Sequence, residues 1–137
     1  MKYVLFGFVC MSIFGAQAQD SLKLKAYELK VSSIDSTIET LYDVISGDQG
    51  VERDWELFKF LFRKNARLIP TGKNKEGEIV ARYMSKDDYI ETSGKWLVNN
   101  GFHEVEINRV TESFGHIAHV FSTYESYRSK TDKEPFM

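Results

Sequence analysis

The run WELFKFLFRKNARLIP, from Trp55 to Pro70, constrains the fold more than any other stretch of the chain. Trp55, Phe58, Leu61 and Phe62 recur at helical spacing, and Leu57 and Phe60 widen the same face. Asp54 precedes them with a carboxylate that can accept from the free amides of a first helical turn. Ala66 to Thr71 then reads as a strand that begins almost at once. A helix this apolar needs cover on most sides, and a strand so close behind it brings helix and sheet together. With an amphipathic helix before it and a helix plus a hairpin after it, the order is that of a helix-lined cone closing around a pocket.

The remaining elements follow from periodicity and turn chemistry. Ile34, Ile38, Leu41, Tyr42 and Ile45 predict a helix, with Ser33 or Ser36 to cap it and Gly47 to end it. Gly72 to Gly77 reads as a turn and Glu78 to Met84 as the returning strand of a first hairpin. Ser85 and Asp88 resemble a capping box for a third helix that carries Tyr89, Trp96 and Leu97 and stops at Gly101. Phe102 to Thr111 and His116 to Tyr127 predict a second, longer hairpin. With its turn centred on Ser113 and Phe114, Thr111 stands opposite His116. Strict alternation then puts His103, Val105, Ile107, Arg109, Ala118, Val120, Ser122 and Tyr124 on one face, towards the helices. Glu104, Glu106, Asn108, His119, Phe121, Thr123 and Glu125 fall on the other. No repeat or linker divides the chain, so a single α+β domain is expected over residues 34–137, behind a lead-in over residues 19–33.

Residues 1–18 read as a secretory signal peptide: Lys2, an apolar run from Tyr3 to Phe14, and a small-x-small site at Ala16-Gln17-Ala18. The run is too short to span a bilayer, so no stable membrane insertion is expected after cleavage, and the mature chain should be secreted or periplasmic. Cleavage would remove Cys10, the only cysteine, leaving stability to packing alone. With 42% hydrophobic and 14% aromatic residues, the chain can bury a core. Its net charge of −2 becomes more acidic by one unit when Lys2 is lost, and its charges are interspersed, which excludes the basic face that nucleic acid requires.

Helix, helix, hairpin, helix, long hairpin resembles the nuclear transport factor 2-like (cystatin-like) fold. The final hairpin, GFHEVEINRV and FGHIAHVFSTYES, is similar to the corresponding stretch of secreted bacterial SnoaL-like proteins. That resemblance implies a cone of three helices packed on a curved mixed or antiparallel sheet, and a homodimer through the sheet face. It also implies two further strands after a segment like Glu134 to Met137, so the domain as written is expected to be incomplete at its C-terminus.

Candidate chemistry is sparse. Ketosteroid isomerases place an oxyanion-binding tyrosine roughly where Tyr42 stands, but Leu68 to Thr71 offers no carboxylate where their general base falls. Tyr42 and His119 are the candidates for a catalytic role. Tyr42, Trp55, Phe58, Phe62, Tyr89, Trp96 and Tyr124 are the candidate lining of a small apolar ligand pocket, each also explicable as core. Gly72-Lys73 lacks the upstream glycine of a phosphate loop, and no cofactor is expected. His116 and His119, three apart on a strand, point to opposite faces and form no joint metal site. The expected function is therefore small-molecule binding of SnoaL-like type, with a non-enzymatic dimerisation scaffold and a weak lyase or isomerase as alternatives.

Overall fold

The computed structural model describes residues 7–137, with side chains from Gln19 onward, so residues 1–6 of the expected leader lie outside the described residues. Helix α1 runs Gly7–Lys30, through the position at which cleavage is expected. Among the described residues no helix is long and apolar enough to cross a membrane. The lead-in is therefore helical as far as Lys30. Tyr27 anchors it, packing its ring at a tilt against Phe60 at 5.6 Å and donating its hydroxyl to Asp54 Oδ2 at 2.8 Å.

Helix α2 spans Ile34–Ile45, and its start is closed by a capping box in which Ser33 and Ser36 exchange hydrogen bonds. Helix α3 spans Trp55–Phe60, with Asp54 Oδ1 accepting from the Leu57 amide at 2.9 Å. It is shorter than its apolar pattern suggests. Lys86 Nζ donates to the Lys59 and Phe62 carbonyls, which satisfies groups that a longer helix would pair internally. The third helical segment has three parts, α4 (Lys86–Tyr89), a π turn (Ile90–Gly94) and α5 (Lys95–Asn100), and the capping box of Ser85 and Asp88 opens it.

The α+β class holds, but the strands form two separate antiparallel sheets, where sequence and resemblance lead to one curved sheet. Strands β1 (Thr71–Lys73) and β2 (Ile79–Ala81) are short and exposed at every position, so they present no apolar face to draw the sheets together. A single bridge between Leu68 and Met84 extends their hairpin towards the core. Strands β3 (His103–Phe114) and β4 (Ile117–Tyr127) form the long hairpin.

The register of that hairpin differs from the expected one. Phe114 pairs with Ile117 and Thr111 with Val120, so Gly115 and His116 form the turn. Gly115 supplies the positive φ of 57° that the two-residue loop requires. The ladder also slips between Glu106 and Asn108, where Ile107 is an extra residue in β3. Because side chains alternate with a period of two, one extra residue exchanges the faces of everything before it. Glu104 and Glu106 therefore share the helix-facing side with Ser122, Tyr124 and Ser126, while Val105 turns outward.

The core comprises Val44, Ile45, Leu57, Phe58, Leu97 and Phe102, with Trp55, Phe62 and Tyr89 packed against it. Arg53 is buried among these elements. Its Nε donates to the Ile45 carbonyl at 3.0 Å, and Nη2 to those of Gly47 and Leu97 at 2.7 and 3.1 Å, while Nη1 donates to Val51. Gly47 is required beside it, since a Cβ there would lie 2.6 Å from Arg53 Cζ. Gly47 and Phe102 in turn exchange backbone hydrogen bonds of 2.7 and 3.0 Å, which fix the start of β3 against the end of α2.

Phe58, 1% exposed, is the centre of this packing, and Phe62 lies at its edge. Phe58→Ala should lower stability by about 3 to 5 kcal/mol and Phe62→Ala by clearly less. Urea denaturation of both variants checks this, and equal midpoints would refute the assignment.

Candidate functional site

Two adjoining clefts lie along the seam between α2 and β3. One, of about 720 Å³, is lined by Asp43, Ser46, Asp48, His103, Glu104 and Tyr127 among others. The second, of about 480 Å³, is lined by Asp35, Glu39, Tyr42, Asp43, Glu104, Val105, Glu106 and Arg109. Asp43, Glu104 and Val105 belong to both.

A relay of hydrogen bonds forms the wall between α2 and the hairpin. The Tyr42 hydroxyl donates to Ser122 Oγ at 2.7 Å, and Ser122 Oγ donates to the Glu106 carboxylate. Arg109 grips Glu106 with two nitrogens and reaches Asp35 on α2 with a third. These contacts hold the Glu106 carboxyl below the usual range, Arg109 first and Ser122 second. Such fork geometry fixes position as well as charge.

Glu104 lies beyond the relay, and its situation is different. Its backbone amide donates to Ser46 Oγ at 3.0 Å, but its carboxylate has no hydrogen-bond partner among the described residues. Burial pushes that carboxyl up to about 7. Burial raises the phenols of Tyr42, Tyr89 and Tyr124, and the Glu104 charge adds to each as a smaller cause. Tyr89 is pushed up to about 12. Directly across the ladder from Glu104 is Ser126, which is fully buried and whose hydroxyl has no hydrogen-bond partner among the described residues.

At the far end of the larger cleft His103 is 4% exposed, and its Nε2 lies 2.8 Å from Asp48 Oδ1. The pair joins the loop after α2 to the first residue of β3. Among the described residues no group of three side chains could hold a metal ion.

The structure divides the candidate residues that the sequence suggests. Tyr42 lines the second cleft with Glu104 and packs against Tyr124, with ring centroids 5.9 Å apart, while Tyr89 packs against the core. Phe58 and Phe62 are core, 4.9 Å apart, and Phe58 stacks on Tyr89 at 5.2 Å. Trp55 lines a separate groove with Glu91 and Lys95. Trp96 lies outside the clefts, under the Arg128 guanidinium and against Phe102. His119 is across from Glu112 on the outward face, with its ring 4.3 Å from Phe121, and does not reach the site. His116 is in the turn, so the opposite-face argument that set it against His119 does not apply to it. Glu104, Glu106, Arg109 and Ser126 are missed by sequence reasoning, and the lining is more polar than the small apolar pocket it suggests. A signal was present: Glu106 and Arg109, three apart on a strand, can pair on one face only if a bulge lies between them.

No known family model matches the chain, and neither a curated protein nor a solved structure matches it.

The shift at Glu104 has a definite sign. The folded form binds this proton more tightly than the unfolded chain, whose value is 4.5, so the residue's stabilising contribution is complete below about 4.5 and is lost as pH rises through about 7. Glu104→Gln should remove that loss and be more stable than the parent at pH 8, by on the order of 1 kcal/mol once the solvent reaching the carboxylate is allowed for. Urea midpoints of both proteins at pH 5 and pH 8 test this. An unchanged pH dependence would place the Glu104 carboxylate in water.

Proposed function

We propose that this chain is a small-molecule-binding domain of the nuclear transport factor 2-like, SnoaL-like type, exported after loss of residues 1–18, with its ligand seated between α2 and the helix-facing side of β3 and β4. The observation that carries the reading is Glu104: a carboxylate with no hydrogen-bond partner among the described residues, at the junction of two clefts large enough for a small molecule, one of them lined by Tyr42. The element order from α2 onward, two helices, a hairpin, a helical segment and a long bulged hairpin, supports the fold type. Binding is favoured over isomerase chemistry for two reasons. The Tyr42 hydroxyl is already committed to Ser122, and Leu68 to Thr71 brings no carboxylate to the site. Titration of the isotope-labelled chain with cyclohexanone, benzoate, benzyl alcohol and benzylamine, followed by amide spectra, should give shifts at Tyr42, Glu104 and Val105 with at least one of them. No shift in the cleft with any of the four would overturn the reading.

A second reading, the dimerisation scaffold, is favoured by the outward face of the long hairpin. Val110 and Phe121 are cross-strand partners there, as are Phe114 and Ile117, and all four are exposed. If a second copy covers this face, sedimentation will give a dimer that Phe121→Glu converts to monomer. A monomer at every concentration would remove this alternative.

A further inference from the structure

We infer that the outer edge of β4 is a self-association site, along which a second copy of this chain lays its own β4 antiparallel about a two-fold axis at Phe121, so that the two hairpins form one continuous sheet. The inference is independent of the ligand reading. It also differs from packing of the outward faces, because backbone groups meet along an edge where the other arrangement brings side chains together across a layer.

The hydrogen-bond pattern of the hairpin shows which groups are free. A two-residue turn closes on a hydrogen-bonded pair, here Phe114 and Ile117. In an antiparallel ladder such pairs alternate with pairs whose N–H and C=O groups point away from the partner strand. Counted along β4, the residues whose groups point away from β3 are Ala118, Val120, Ser122, Tyr124 and Ser126. Ser126 verifies the count. Its amide donates to the Met137 carbonyl at 2.7 Å and its carbonyl accepts from the Phe136 amide at 2.9 Å, so this edge already pairs with a segment other than β3. The backbone groups of Ala118, Val120, Ser122 and Tyr124 have no partner among the described residues.

A row of unpaired groups is a template for another strand, and proteins commonly guard it with charges or a bulge. On β3 both guards are present: the bulge at Ile107, and Glu104, Glu106, Arg109 and Glu112. On β4 the run from Ile117 to Tyr124 is regular and contains no lysine, arginine, aspartate or glutamate.

The occupant is a second copy because the free set is its own complement. An axis at Phe121 pairs Ala118 with Tyr124 of the second copy and Val120 with Ser122, so every free N–H meets a free C=O. An axis at Val120 would leave Tyr124 over the turn, and an axis at Ser122 would set Ala118 against Ser126, whose groups are taken. With the axis at Phe121 the incoming strand ends with its Ile117 opposite Glu125, short of the position that Phe136 and Met137 occupy. The two Phe121 rings then stand opposite each other in a pair of the closer, non-hydrogen-bonded kind, and no like charges are opposed.

The test uses the full chain. Sedimentation should show a dimer, and amide exchange at Ala118, Val120, Ser122 and Tyr124 should slow as concentration rises. Val120→Pro removes an edge N–H without touching the β3 ladder and should give a monomer. Val110→Glu, which spoils the outward face and spares the edge, should remain dimeric. In a Cys10→Ser background, Phe121→Cys should cross-link to its own copy under mild oxidation, since Cα atoms of such a pair lie about 4.5 Å apart. Ala118→Cys, set against Tyr124 and not against itself, should cross-link roughly tenfold less. This comparison keeps the test decisive if Val120→Pro folds poorly. A monomer at concentrations up to about 1 mM, or equal cross-linking at both positions, would overturn the inference. A dimer broken by Val110→Glu and kept by Val120→Pro would also overturn it, and would assign association to the outward face.

Discussion

Arg53 is the residue on which the arrangement depends. A guanidinium with four carbonyl acceptors and no carboxylate in contact is costly to bury, and burial draws its affinity for the proton below the usual arginine range. The compensation is geometric. The carbonyls it gathers belong to the end of α2, the loop after it and α5, and the Gly50 amide and Gln49 side chain, which donate to the Val98 and Asn99 carbonyls, tie that loop to α5 as well. Through Gly47 the same cluster sets the first pair of β3, so the helix and the strand that flank the cleft are aligned by one side chain. A hydrophobic residue of equal size could fill the volume but would take the guanidinium donors from the Ile45, Val51 and Leu97 carbonyls.

Beyond this frame, the seam between α2 and the hairpin is polar, and that polarity has two parts. Asp35, Arg109, Glu106, Ser122 and Tyr42 satisfy one another and act as a structural seam. Glu104 and Ser126, one step further along the same face, are left unsatisfied. The contrast matters because both sets contain a glutamate and a serine on one face of the hairpin, and only one set is paired. It separates charges that hold the fold together from charges available to something else.

Local sequence rules account for much of this fold. Ser33, Asp54, and Ser85 with Asp88 cap helices because short acceptors before apolar periodic runs have few other uses, and the structure places all of them there. The core residues Phe58 and Leu97 are legible for the same reason, since helical spacing fixes which face they occupy. Two non-local features were not legible. The first hairpin stays apart from the second because its strands carry no buried position, a property of tertiary context. The face of Glu104 depends on a bulge at Ile107 that no residue there announces, since isoleucine is at home in any strand. Tyr42 could be nominated from the sequence, but the Glu104 carboxylate that shares its cleft could not.

That bulge has a further consequence. It works as a phase shift that makes the base and the tip of the hairpin separately adjustable. The tip keeps Val110 and Phe121 facing outward whatever happens below Ile107, and the base can exchange its two sets of side chains without disturbing the tip. Removing one residue at this point would exchange the faces of Glu104 and Glu106 with those of His103 and Val105, taking two carboxylates off the helix-facing side. The chemical character of the cleft is thus encoded less by which residues β3 contains than by the parity with which they are counted.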